Sequence, residues 1–456
     1  MITTIDPATE AVLERIPYMA AREVEAKLGA AAAAARGWAA TSLDRRTAFL
    51  RAVATRLRTQ SDGLAVTAVT EMGKPLAQAR AEVEKCAWCC DFFAENGAAM
   101  VAPQDAPSSA ARSYVAFRPL GVVLAIMPWN YPYWQLFRAA APALLAGNAV
   151  LLKHAENTTR CALEIERVFR DGGAPDGLFG TLLMSNEDVD ALIADARISA
   201  VTLTGSERAG AAVGAAAGSA LKKCVLELGG SDAFVVLADA DLDLTAKMAV
   251  TARFQNNGQS CIAAKRFIVV QPVYEEFRRR FVALAALQHV GDPMDESVAL
   301  GPCARGDLRD AIHAQVRATV DHGARLDLGG KRVQGPGYFY EPTIVSDVVP
   351  GMRMFDEEVF GPAAAVIRAD GADEAIALAN ASSYGLGFSI WTGDSSAAEN
   401  LATRVEAGAV FINGIVASDP RLPFGGVKKS GYGRELSHFG VHEFANIQTV
   451  WLGPAR

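Results

Sequence analysis

The sequence predicts an α/β protein of two doubly wound domains with a small β extension. Three observations predict it. The chain has 456 residues, more than one core ordinarily serves, so two or three domains are expected. From residue 113 to about 206, short apolar runs alternate with helix-length amphipathic stretches, the pattern of a parallel sheet with crossover helices. The same alternation restarts at about 229.

The elements follow in order. Residues 21–100 mix strong helix formers with an apolar period near 3.6, as in "LDRRTAFLRAVATRLRTQSDGL", and read as helix. Cys86, Cys89 and Cys90 lie there in "RAEVEKCAWCCDFFAEN". They read as small apolar helix residues, because no second C-x-x-C or H-x-x-x-H accompanies them to hold a metal. "SYVAFRPLG" at 113–121 alternates as a strand, and "GVVLAIMP" is continuously apolar, as a parallel strand covered on both faces is. Next come helix "QLFRAAAPALLAGN", strand "AVLLKHA", helix "TTRCALEIERVFRDGG", strand "LFGTLLMS", helix "DVDALIADA" and strand "ISAVTLTGS". The second series runs "DAFVVLAD", "LTAKMAVTARFQN", "KRFIVVQ" and "YEEFRRRFVALAAL", then "EPTIVSDV", "AAAVIRA", "DEAIALANA", "FSIWTGD" and "GAVFING". The tail "EFANIQTVWLG" is β-like. An exposed strand aggregates, so it is expected to be paired or covered.

Composition narrows the function. Hydrophobic residues make up 51% and charged residues 21%, and the net charge is −7. An acidic chain is a poor general binder of nucleic acid or anionic lipid. No basic segment followed by an apolar run opens the sequence, and the longest apolar stretch, "GVVLAIMPW", falls well short of a bilayer span. The seven cysteines show no framework spacing, which fits a reducing, cytoplasmic setting.

Four stretches carry chemistry. "FQNNGQSCIAAKR" sets Cys261 beside Asn256, Asn257, Gly258 and Gln259, residues that suit a loop. A thiolate nucleophile needs an accessible, electropositive place, and main-chain N–H groups there can hold an oxyanion. "CVLELGGSD" puts Glu227 at a strand end before Leu228, Gly229 and Gly230, where partial burial would raise its pKa toward that of a general base. "IMPWNYPYWQLFR" places Asn130 at the carboxyl end of an apolar strand, where ligands of open α/β sheets bind. Trp129, Tyr131, Tyr133 and Trp134 would line a pocket there, or pack in the core. "VTLTGSERAG" offers Gly205 and Ser206 at a helix start, with Gly210 one turn on, a phosphate-binding arrangement.

Taken with "LLKHAE", "EEVFGP" and "PFGGVKKSGYGRE", these stretches in this order resemble the NAD(P)-dependent aldehyde dehydrogenase superfamily over essentially the whole chain. The resemblance implies that Cys261 attacks an aldehyde, that the Asn130 amide and the Cys261 N–H hold the oxyanion, and that Glu227 activates the water that releases the acid. It implies cofactor contacts from Trp129, Lys153, Glu156, Gly205, Ser206, Leu228, Glu358 and Phe360. Glu156 would accept from ribose hydroxyls and repel a 2′-phosphate, so NAD is expected over NADP. His154 replaces the proline that often follows the lysine, and Lys153 is left able to reach a phosphate. No metal is expected. The family architecture implies an NAD-binding domain over 1–101 and 120–228, a catalytic domain over 229–430, and an oligomerisation β-extension over 102–119 and 431–456. A homodimer or homotetramer follows from that extension.

The substrate reading rests on Trp134, Arg138, Ser418 and Arg421. Arg138 lies eight residues after Asn130 and would pair with a substrate carboxylate, or else with a structural acid. "VASDPRLPFGG" contributes Ser418 and Arg421. Together with "RFQNNGQSCIAAKRF" and "GRELSHFGVHEFANIQTVW", these resemble the short succinate-semialdehyde dehydrogenases, which act on a carboxylate-bearing aldehyde. Gln255 stands where some relatives carry a second arginine, which leaves glutarate semialdehyde or uncharged aldehydes as the alternative. Ala263 and Ala264 follow the nucleophile, so no local disulfide is expected. A cysteine hydrolase without dinucleotide and a CoA-acylating dehydrogenase are the readings of other classes. Retention of Glu227 favours release by water over the latter.

Overall fold

The computed structural model describes residues 1–453. Its first sheet runs, edge to edge, Gly431–Tyr432, Lys223–Glu227, Ile198–Thr204, Val122–Met127, Ala149–His154 and Phe179–Thr181. All pairs are parallel except the first. Val122–Met127 is buried along almost its whole length, as its unbroken apolar run requires. The chain leaves this strand for Ala149–His154 on one side and returns to Ile198–Thr204 on the other. That reversal opens a crevice beyond the strand ends, where Asn130 and Gly205 stand.

The second sheet runs Arg325–Leu328, Thr343–Ser346, Ala363–Ala369, Ala264–Val270, Asp232–Val236, Gly387–Trp391 and Ala409–Ile412. Successive residues of Asp232–Val236 serve opposite faces. Ala233 and Val235 join one core, Phe234 and Val236 the other, as the period of two along a strand dictates. The third sheet pairs Ala445–Leu452 with Arg112–Pro119 and the short Gln104–Asp105. So the β-like tail finds its partner more than 300 positions upstream.

The helical stretch 21–100 resolves into Ala21–Ala39, Leu43–Thr59, Ser61–Met72 and Leu76–Val101. Cys86, Cys89 and Cys90 are fully buried on the last of these. Among the described residues no group of three or more metal-ligating side chains gathers, and no helix is long and apolar enough to cross a membrane.

Three features differ from the sequence expectation. The extension drawn from 431 begins later. Gly431–Tyr432 instead pair with Glu227 and Leu226, and helix Ser437–Glu443 buries Val441 in the first core. Residues 454–456 of that segment lie outside the described residues. A hairpin, Ile2–Ile5 with Val12–Ile16, and a helix, Gly306–Asp321, form where no element was expected. The hairpin strands are short, and the helix lies in a stretch where glycine and charge obscure the apolar period.

Candidate active site

Helix Leu242–Phe254 ends where Asn256, Asn257 and Gly258 take φ of +57°, +57° and +71°. Asparagine tolerates this left-handed region better than other side chains, and glycine enters it freely. A Cβ on Gly258 would also lie 2.4 Å from the Gly361 carbonyl oxygen. These residues do not form the solvated loop that their polarity implied. All are buried, and their side chains satisfy main chain. Asn256 Nδ2 donates to the Asn130 and Gln259 carbonyls at 2.9 and 3.0 Å. Asn257 Nδ2 donates to the Gly73 and Pro302 carbonyls, and its Oδ1 accepts from Gly301 N–H. Arg253 clamps the turn from below through the Gly258, Gly361 and Ala264 carbonyls. Burial without an acid partner lowers its pKa to about 9. The polar residues are there because a buried turn must pair its own amides and carbonyls.

The turn delivers Cys261 to a junction. A cavity of about 680 Å³ reaches it from one side and a cavity of about 210 Å³ from the other, with Cys261 and Gln135 on the wall of both. Burial pushes the thiol to about 11, against the pull of the nearby Arg138 and Lys265 cations. Desolvation outweighs the positive charge around the thiol and favours its protonated form.

Asn130 and Cys261 share the larger cavity. One N–H of the Asn130 amide goes to the Gln259 carbonyl at 3.1 Å, which leaves the other for a ligand. The Cys261 main-chain N–H has no acceptor among the described residues. Glu227 is not on either wall. It is buried against Gly425, where a Cβ would sit 2.7 Å from its Oε1, and that oxygen has no partner among the described residues. Burial drives its pKa well above the carboxylate range, with Glu435 adding to the rise and Arg138 and Arg434 opposing it.

The larger cavity collects Trp129, Lys153, Glu156, Gly205, Ser206, Leu228, Glu358 and Phe360. Ser206 caps helix Glu207–Ser219 through Ala209 N–H at 3.3 Å. Gly210 is needed for packing, not for phosphate: a Cβ there would lie 2.5 Å from Leu228 Cδ1. Glu156 accepts from Tyr18 Oη at 2.9 Å, and Lys153 donates to Asn186 Oδ1. Glu358 accepts from Gly230 N–H at 3.0 Å and lies 3.6 Å from Lys265 Nζ. Gly229 makes room for that carboxylate, since a Cβ there would stand 2.4 Å from its Oε2. Asn157 Nδ2, on the same wall, is buried and unpartnered. An acid at each of two points, a helix start between strand ends, and an orphaned amide donor fit a dinucleotide.

The family comparison decides what this junction belongs to: residues 1–450 match the aldehyde dehydrogenase family. The chain belongs to that family. It is 53% identical over 448 residues to the Escherichia coli (strain K12) protein named succinate semialdehyde dehydrogenase NAD(P)+ Sad, covering 98% of this chain and 97% of that one. It is 48% identical over 454 residues to the Mycobacterium bovis (strain BCG / Pasteur 1173P2) succinate-semialdehyde dehydrogenase NADP(+) 1, covering 99% of each. The crystal structure of succinic semialdehyde dehydrogenase from Streptococcus pyogenes, in complex with NADP+ as the cofactor, superposes with a TM-score of 0.97 at 36% identity and 100% coverage of both chains. Family membership sets aside the cysteine-hydrolase reading.

In this aldehyde dehydrogenase the smaller cavity holds three of the four residues expected at the substrate. Trp134, Arg138 and Ser418 line it. Arg421 does not. Its guanidinium lies on Asp419 at 2.9 and 2.5 Å and its side chain is 65% exposed. A carboxylate two residues away satisfies it before it can turn inward. Tyr131 also lines this cavity, whereas Tyr133 is core and donates its hydroxyl to the Leu64 carbonyl at 2.8 Å. So Trp129, Tyr131 and Trp134 face cavities and only Tyr133 is purely structural. Lys85, Gln78 and Glu82, from helix Leu76–Val101, also line it. No sequence signal singled them out, because they are ordinary helix residues until the helix packs beside Cys261.

Proposed function

We propose that this aldehyde dehydrogenase oxidises succinate semialdehyde to succinate with NAD(P) as acceptor. The observation that carries the reading is the meeting of two cavities at one thiol, a large one that Lys153, Glu156 and Glu358 reach and a small one that Lys85 and Arg138 reach. The names of the relatives support the choice of aldehyde. The Cys261 S–H proton passes to water as the sulfur bonds to the aldehyde carbon and the carbonyl π pair moves onto oxygen, and the Arg138 and Lys265 charges favour that loss. The Asn130 amide and the Cys261 N–H hold the oxygen as it becomes negative. A bound nicotinamide would accept the hydrogen that leaves the carbon. Glu227 has to ionise before it can act: as a carboxylate it would take a proton from the water whose oxygen bonds to the thioester carbon, while the carbon–sulfur bond breaks and Cys261 leaves as a thiolate.

Glu156 supports a preference for NAD, since a carboxylate at the ribose repels a 2′-phosphate. Lys153 pulls the other way, and the names of the relatives include NADP(+). The domain over 1–101 and 120–228 would hold the dinucleotide, that over 229–430 Cys261, and the three-stranded sheet would pair with a second copy of the chain. Ile447 and Trp451 on its outer strand are more than half exposed, which supports a homodimer or homotetramer. Initial rates with NAD and NADP, on succinate semialdehyde, glutarate semialdehyde and butyraldehyde, test the reading. Preference for succinate semialdehyde is expected. Equal rates on butyraldehyde would reduce the assignment to a general aldehyde dehydrogenase.

A further inference from the structure

Two cations reach the smaller cavity, and they are not equivalent. Arg138 is already paired. Its guanidinium is paired with the buried Glu435, donates to Thr204 Oγ1 at 3.1 Å, and lies 4.6 Å from the centre of the Phe424 ring. Pulling it toward a ligand would leave Glu435 buried and unpaired, a costly state. Lys85 has no such commitment. Its Nζ lies 4.3 Å from the centre of the Trp134 ring and donates to Ser418 Oγ at 2.9 Å. It forms no ion pair among the described residues, and the nearby Asp419 is occupied by Arg421.

Ser418 adds an independent observation. Its oxygen accepts from Lys85 Nζ and from Trp134 Nε1, each at 2.9 Å. Both lone pairs are then used, so its O–H must donate elsewhere, and no acceptor for it lies among the described residues. A cation without an anion and a hydroxyl without an acceptor face one cavity that ends at Cys261. A carboxylate supplies what both lack.

We propose that Lys85, with the Ser418 hydroxyl, holds the carboxylate of the substrate, and that Arg138 instead serves the buried Glu435. The assignment rests on the substrate reading above and names the side chains that enforce it. It also accounts for Gln255: a chain that presents a lysine from helix Leu76–Val101 does not need a second arginine before the catalytic turn.

The test is the ratio of kcat/KM for succinate semialdehyde to that for butyraldehyde, in wild type, Lys85→Met, Lys85→Arg and Ser418→Ala. A ratio divides out the chemistry at Cys261, which both aldehydes share. Lys85→Met is expected to lower it roughly 10- to 100-fold, the worth of a hydrogen bond to a charged group. Lys85→Arg should restore most of it, and Ser418→Ala should lower it by less. A Lys85→Met enzyme with the wild-type ratio overturns the assignment and leaves the substrate reading intact. A wild-type ratio near unity overturns the substrate reading, and the assignment with it.

Wild type alone gives a second readout should Lys85→Met fail to fold. Burial, helped by Arg138, lowers Lys85 to about 8. Of the titratable groups around it, burial pushes the Cys86 and Cys89 thiols far up and Arg421 holds Asp419 down. A lysine is charged below its pKa, so the ratio should fall about tenfold between about pH 7 and pH 9. A flat ratio over that range overturns the assignment.

Discussion

The two cavities that meet at Cys261 are built differently. The wide one is walled by strand ends and helix starts: Pro128 to Asn130, Thr204 to Ser206, and Leu228 with Gly229. Its charged groups Glu156, Lys153 and Glu358 are bonded to Tyr18, Asn186 and Gly230 and not to one another. The narrow one is walled by side chains that hold one another across the sequence. Arg138 reaches Glu435, and Lys85 reaches Ser418, which also takes Trp134. A site made of chain ends is fixed by the sheet and tolerates change at any one side chain. A site made of mutually paired side chains is only as stable as its weakest pairing.

The largest expected effect removes what the two sides share. Cys261→Ser should lower aldehyde oxidation by at least about 10⁴-fold, while binding of reduced nucleotide, followed by its fluorescence, persists. Substantial turnover in that variant would mean that the chemistry does not pass through the thiol. Next comes a pair of variants, one from each side. Arg138→Met strands the buried Glu435 and should destabilise the fold by roughly 3–5 kcal/mol in urea unfolding. Glu156→Gln, at a half-buried rim position, should cost less than about 1 kcal/mol. Equal losses would break the contrast between the two walls.

The smallest effect concerns the thiol at rest. With its pKa raised to about 11 by burial, the thiolate fraction of Cys261 grows with each step in pH below that value. Iodoacetamide labelling of its peptide, in nucleotide-free protein, should therefore rise about tenfold per pH unit between neutrality and about pH 10. A plateau already reached near neutral pH would show a resting thiolate, and the Arg138 and Lys265 charges would then outweigh desolvation.

How much of this was legible follows the same division. The wide cavity could be read from short motifs, because "PWN", "TGS" and "ELGG" each sit at the end of an apolar strand and the doubly wound topology gathers strand ends by itself. The narrow cavity could be read only in part. Arg138 and Ser418 were found, but Arg421 turned out to be satisfied by Asp419, and Lys85 gave no sign of itself on a helix more than 300 residues from its partner. The polar turn before Cys261 was recognised as unusual, yet its burial was not, because Asn256 and Asn257 look the same in sequence whether they meet water or the Gly73 and Asn130 carbonyls.

By itself, then, the sequence determined the alternating elements and singled out Cys261 and the strand-end groups, since these depend on local periodicity and on neighbours in the chain. Only the tertiary structure decided that burial pushes the Cys261 and Glu227 pKa values up, and that Arg138 is paired with Glu435 while Lys85 has no ion pair among the described residues. Those outcomes depend on desolvation and on which charges meet across hundreds of residues, and both are properties of packing.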